Sequence, residues 1–108
     1  MWILAPEINK RRPVLIVSND ANNRAASTVT VLPIISNVSR VYLFELPLSA
    51  QESGLLKPSK AQAQQIRTIS KERTAGRLVG RLGAVQMRKA GDAIRLHLDL
   101  WAVRRDSH

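Results

Sequence analysis

The spacing of apolar positions changes about three-quarters of the way along the chain. Before that point apolar residues come in short, often β-branched runs separated by turn formers. Val14 to Ser18 (VLIVS) is a continuous apolar run, which predicts a strand buried on both faces. Thr28 to Ile35 (TVTVLPII) is β-branched and partly alternating, and Pro33 inside it implies an edge position or a bulge. Trp2 to Leu4 predicts a short strand ended by Pro6, and Arg40 to Leu46 (RVYLFEL) predicts another. Further short strands are expected at the end of Ala61 to Ile69 and over Arg77 to Leu82. Between them, Asn19 to Ser27 reads as a polar loop, Pro47 to Lys60 as mostly turn, and Ser70 to Gly76 as one turn of helix.

From Gly83 to Trp101 the period becomes helical. Met87, Ala90, Gly91, Ile94, Leu98 and Trp101 follow one another at three- and four-residue steps, while Arg88, Asp92, Arg95 and Asp99 lie opposite. Leu96 and Leu100 fall on the polar side, more aliphatic surface than a free helix needs. A second contact, with a partner subunit or another element, would account for them. Short strands followed by one helix predict a small, mainly β barrel with a terminal helix.

A chain of 108 residues fits one domain spanning residues 1–108, and 44% apolar residues suffice for a core. No apolar run is long enough to cross a bilayer. The N-terminal MWILAPEINKRR lacks a charged segment before its apolar residues, so no signal peptide and no membrane association are expected. The absence of cysteine removes disulfides and thiolate metal sites and is compatible with a cytoplasmic home. The charge changes the picture more. Seventeen Lys and Arg against eight Asp and Glu leave +9, which attracts polyanions: nucleic acid first, an acidic protein second.

His97 and His108 have no ligand neighbours at metal spacing, so no metal site and no cofactor are expected. Glycine-rich phosphate loops, a G-x-S-x-G elbow and a close carboxylate pair are absent from the sequence. Cationic chemistry remains. Lys10, Arg11 and Arg12 stand against Pro13, which biases Arg12 toward an extended backbone. A guanidinium fixed there can grip a phosphate bidentately; a solvated loop cluster explains the same spacing. Ser36 and Asn37 end the run PIISN, and QQIRT (Gln64 to Thr68) sets two amides beside Arg67.

Together RRPVLIVSND, TVTVLPIISN, SGLL, QIRTISKER, VGRL and AIRLHLDL resemble, in order, the MazF/PemK-type toxins of bacterial toxin–antitoxin systems. The resemblance covers roughly Lys10 to Leu100. It implies a small SH3-like β-barrel of CcdB/PemK type with a C-terminal helix, an α+β, mainly β fold, forming a homodimer. It also implies metal-independent, sequence-specific cleavage of single-stranded RNA to 2′,3′-cyclic phosphate and 5′-hydroxyl ends, and a MazE-like antitoxin with an acidic, flexible tail. The arginine of R-P-V is Arg12, the expected catalytic residue. The usual threonine position holds Ile35, and the neighbouring Ser36 is the expected catalytic hydroxyl if the strand ends there. Lys10, Arg11, Asn19, Asn37, Gln65 and Arg67 are expected to bind RNA. The acid that often precedes Gln65 is Gln64 here. A catalytically weakened RNA- or antitoxin-binding module, or a gyrase-targeting toxin on the same barrel, are the alternative readings.

Overall fold

The computed structural model describes residues 2–7, 12–74 and 78–100. Its elements are β1 (Trp2–Glu7), β2 (Arg12–Ile16), α1 (Asp20–Ala25), β3 (Thr28–Ile35), β4 (Glu45–Leu48), α2 (Ala50–Ser53), β5 (Ser59–Gln62), β6 (Arg67–Ser70), β7 (Gly80–Leu82) and α3 (Ala84–Leu98). Single turns of 3-10 helix cover Ala63–Gln65 and Lys71–Arg73. The fold is mainly β with one long C-terminal helix, the expected class.

Among the described residues every strand pairing is antiparallel, along the path β4-β5-β3-β2-β1-β7. The other partner of β3 is β6. Among the described residues no pairing joins β4 to β7, so the sheet is not closed. β3 is the hub and not an edge strand. One side pairs with β2; the other serves β6 along Thr28–Val31 and then β5 along Ile34–Ile35. Pro33, which lacks an N–H, falls in the gap where the partner changes.

The two faces of the sheet carry separate cores. On one face Leu15, Leu32, Ile34, Leu46, Leu48 and Leu82 pack with Met87, Ala90 and Ala93 of α3. Val14, Val29, Val31 and Ile69 form the smaller cluster. Both Val14 and Leu15 are fully buried, as the continuous apolar run required.

Four local expectations are corrected. Asn19 to Ser27 is not all loop: α1 forms with Asn19 as N-cap, its Oδ1 accepting from the Asn22 N–H at 2.8 Å. The strand expected over Arg40–Leu46 lies later, at Glu45–Leu48. The Glu45 N–H bonds to the Tyr42 carbonyl at 2.9 Å, which makes Tyr42–Glu45 a turn. Pro47 is accommodated because β4 ends the sheet path. β1 continues through Pro6, which faces Pro13 across the ladder, so two residues without an N–H share one rung. On α3, Ala93 is buried while Leu98 is exposed, and Asp99 in the left-handed conformation (φ 58°) caps the end. Trp101 lies outside the described residues.

Candidate nucleic-acid interface

Arg12 opens β2 with its side chain exposed, and Pro13 behind it holds the backbone extended. Two adjoining pockets meet at this point. The first, of about 460 Å³, lies between Arg12 and Pro13, the end of β3 from Ile34 to Asn37, and the segment Leu55 to Ser59. The second, of about 190 Å³, is lined by Arg12, Val14, Ile35, Gln62, Gln65 and Arg67, together with Pro13 and Pro33. Arg12, Lys57 and Arg67 supply positive charge, and among the described residues that line the two pockets there is no carboxylate. Such a surface suits a polyanion.

The structure thus brings Arg12, Ser36 and Asn37 together in one pocket and Arg12, Gln65 and Arg67 in the other. β3 ends at Ile35, so Ser36 sits in a bend beyond the strand and reaches the same groove as its neighbour. Asn37 turns its Oδ1 back onto the Ser39 N–H (3.2 Å) and hydroxyl (2.8 Å). Asn19 lines neither pocket; capping α1 occupies its side-chain oxygen. Lys10 and Arg11 lie outside the described residues. Lys57, Leu55, Leu56 and Gln62 are groove residues that sequence reasoning missed. The signal available was the basic turn LLKPS, which has no periodicity. Among the described residues, no group of three or more His, Cys, Asp or Glu comes together, and no helix is long and apolar enough to cross a membrane.

Behind the groove lies a buried ion pair. Glu45 of β4 and Lys60 of β5 approach to 2.9 Å, with side chains only 1% and 8% exposed. The carboxylate also accepts from the Tyr42 N–H (3.0 Å), Gln62 Nε2 (3.2 Å) and Gln64 Nε2 (2.6 Å). Lys60 Nζ donates onward to the Arg40 carbonyl at 2.6 Å. Burial pushes the Glu45 carboxyl up, but the bonds from Tyr42, Gln64, Lys60 and Gln62 outweigh it and bring the pKa from 4.5 down to about 2. Tyr42 stacks on Phe44 at 5.1 Å between ring centroids, and His97 of α3 lies 6.4 Å from Phe44.

The pattern of the PemK-like, MazF-like toxins of type II toxin–antitoxin systems matches residues 3–98. The chain belongs to this family. It is 44% identical over 101 residues to endoribonuclease MazF9 of Mycobacterium tuberculosis, covering 89% of this chain and 85% of that protein. Its fold matches the solved Mycobacterium tuberculosis toxin MazF-mt6 with a TM-score of 0.84 at 31% identity, over 94% of this chain and 100% of that one. An endoribonuclease solved in complex with its cognate antitoxin, from a mycobacterial species, matches with a TM-score of 0.76 over 94% of each chain. At 24% identity that likeness is one of fold. In this member of the PemK/MazF family the R-P-V arginine stands at the junction of both pockets.

Proposed function

We propose that the chain is the toxin of a toxin–antitoxin pair and acts as a metal-independent, sequence-specific endoribonuclease on single-stranded RNA. The observation that carries this reading is the position of Arg12, shared by two adjoining pockets at the mouth of β2. An RNA strand crossing the junction would leave one nucleotide on each side and its phosphate at the guanidinium. The 2′-hydroxyl attacks phosphorus, an O2′–P bond forms and the P–O5′ bond breaks. The 2′-hydroxyl proton is lost to water and a proton is returned to the 5′ oxygen. The products are a 2′,3′-cyclic phosphate and a 5′-hydroxyl. Arg12 stays protonated and stabilises the phosphorane charge, and the Ser36 hydroxyl donates a further hydrogen bond to it. Gln65, Arg67 and Asn37 would contact bases and flanking phosphates.

The partners that accompany this reading are a MazE-like antitoxin, whose acidic tail would compete for the cationic groove, and a second copy of the chain. Leu96, Leu98 and Leu100 at the end of α3 are exposed and offer apolar surface for a homodimer. A second reading rests on one residue. Ile35 lines both pockets and offers no hydroxyl there, which favours a binding module that has lost its chemistry.

The test is incubation of the purified protein with a long single-stranded RNA in EDTA, followed by mapping of the new ends. Discrete cuts with cyclic-phosphate ends support the nuclease. RNA binding without cuts supports the binding module.

A further inference from the structure

We infer that Glu45 is a positioning residue that fixes both lips of the groove at once and thereby sets the sequence preference of cleavage; the inference rests on the ribonuclease reading above. Glu45 lines neither pocket. Its two oxygens are nevertheless filled by donors from three separate segments. Oε1 takes the Tyr42 N–H at 3.0 Å and Lys60 Nζ at 2.9 Å. Oε2 takes Gln62 Nε2 at 3.2 Å and Gln64 Nε2 at 2.6 Å. An ionised carboxylate has about four acceptor sites, and here all are used.

Each donor segment leads to a groove residue. Tyr42 belongs to the connection between β3 and β4, whose first residues are Ser36 and Asn37. Lys60 strengthens the hold on this connection through the Arg40 carbonyl. Gln64 lies in the single 3-10 turn that ends in Gln65, on the other lip. Gln62 lines the smaller pocket directly. One backbone bond, from the Ala63 N–H to the Phe44 carbonyl at 3.2 Å, joins the same two segments without Glu45. Glu45 adds direction to that tie, because four charge-assisted bonds converging on one planar group fix the angle between the lips as well as their separation.

Energetics favour a geometric role over a purely stabilising one. Burying an ion pair returns little net stability compared with apolar side chains of similar volume. What such a pair does supply is a fixed arrangement, and a shift of about 1 Å in groove-lining groups is enough to cost about 100-fold in rate on a given substrate.

The experiment compares the native protein with Glu45→Gln and Gln64→Ala, using thermal melts, amide hydrogen exchange and quantitative mapping of cuts on one long RNA. Glu45→Gln removes the charge that gathers the four donors. Gln64→Ala removes only the strut to the Gln65 turn. In Glu45→Gln, exchange is expected to rise together over residues 36–44 and 63–65. The ratio of cutting at the preferred site to the next is expected to fall at least ~10-fold. Gln64→Ala should raise exchange at 63–65 alone and lower the ratio less. Loss of stability by itself lowers cutting at all sites equally and leaves the ratio unchanged. A folded Glu45→Gln protein with native site ratios overturns the proposal. If Glu45→Gln does not fold, native ratios in Gln64→Ala overturn it equally. Absence of cuts by the native protein defeats the ribonuclease reading and the preference claim with it, and exchange at the two lips then decides the positioning role alone.

Discussion

Arg12 on β2 and Ile35 on β3 both line the two adjoining pockets, and among the described residues only Pro13 does the same. The junction of the groove is therefore one cation beside one branched aliphatic. Under the proposed function the cation carries the chemistry. Arg12→Ala is expected to lower RNA cleavage by at least ~100-fold, the scale of losing a principal transition-state donor. Its side chain is exposed, so the folding free energy should move by no more than ~0.5 kcal/mol. Arg12→Lys should restore little, because an ammonium lacks the planar two-pronged geometry. Cleavage rates set beside urea unfolding midpoints check this; a folded Arg12→Ala protein cutting at the native rate removes Arg12 from the mechanism.

The aliphatic at the junction makes a second expectation. Ser36 is the hydroxyl that the end of β3 turns into the larger pocket. Ser36→Ala should slow cleavage by about 10- to 100-fold through loss of one hydrogen bond to the phosphorane. Ile35→Thr, which sets a hydroxyl facing both pockets, should raise the single-turnover rate and partly rescue Ser36→Ala. Unchanged rates in all three variants would leave neither position a chemical role.

A third prediction concerns stability near the C-terminal end of the sheet. β7 passes so close to α2 that a Cβ on Gly80 would overlap the Ser53 carbonyl oxygen. Gly54, which ends α2 at φ 79°, would place a Cβ 2.8 Å from the Val79 carbonyl oxygen. In both cases the obstacle is backbone, which cannot swing aside. Gly80→Ala and Gly54→Ala should each cost about 2–4 kcal/mol. Gly83, the N-cap of α3, has nothing within 4 Å of an added Cβ. Gly83→Ser should be neutral or slightly stabilising, by a few tenths of a kcal/mol. Urea unfolding of the three variants separates these outcomes.

How much of this was legible in the sequence depended on whether a segment buries a regular face. TVTVLPII coincides with β3 because its alternation serves two buried faces. α3 was legible from three- and four-residue steps, though its buried stripe ends at Ala93 and Ile94 because the last turn exposes Leu96 and Leu98. α1 was not legible because it buries no residue, so no apolar stripe marks it. Val41 to Phe44 mimics a strand in sequence, yet three of those four side chains are exposed and Tyr42 and Phe44 stack on each other. In the groove, Arg12, Ser36, Asn37, Gln65 and Arg67 were found from motifs. Lys57 and the fully exposed Leu56 were not, since an aperiodic turn carries them to the site. The Glu45–Lys60 pair joins residues fifteen positions apart through strand register, which composition and spacing do not encode.

That pair also fixes an acid response. The Glu45 pKa is lowered from 4.5 to about 2 in the folded protein. A carboxyl with a depressed folded pKa contributes stability that is fully present above 4.5 and is lost as pH falls toward about 2. The shift corresponds to roughly 3–4 kcal/mol, at about 1.4 kcal/mol for each pH unit. Glu45→Gln should therefore be markedly less stable than the native protein at pH 7, with Lys60 left buried without its counter-charge. The gap should narrow steadily between pH 4.5 and pH 2, because the unfolded chain takes up a proton at this carboxyl while the folded one holds it largely ionised. Glu52, whose pKa is also lowered, chiefly by the Ser49 N–H of its capping box, is present in both proteins and cancels in the comparison. Urea unfolding of both proteins across this range tests the assignment. A stability gap of the same size at pH 7 and pH 2 would show that the cost of the substitution is packing and not charge.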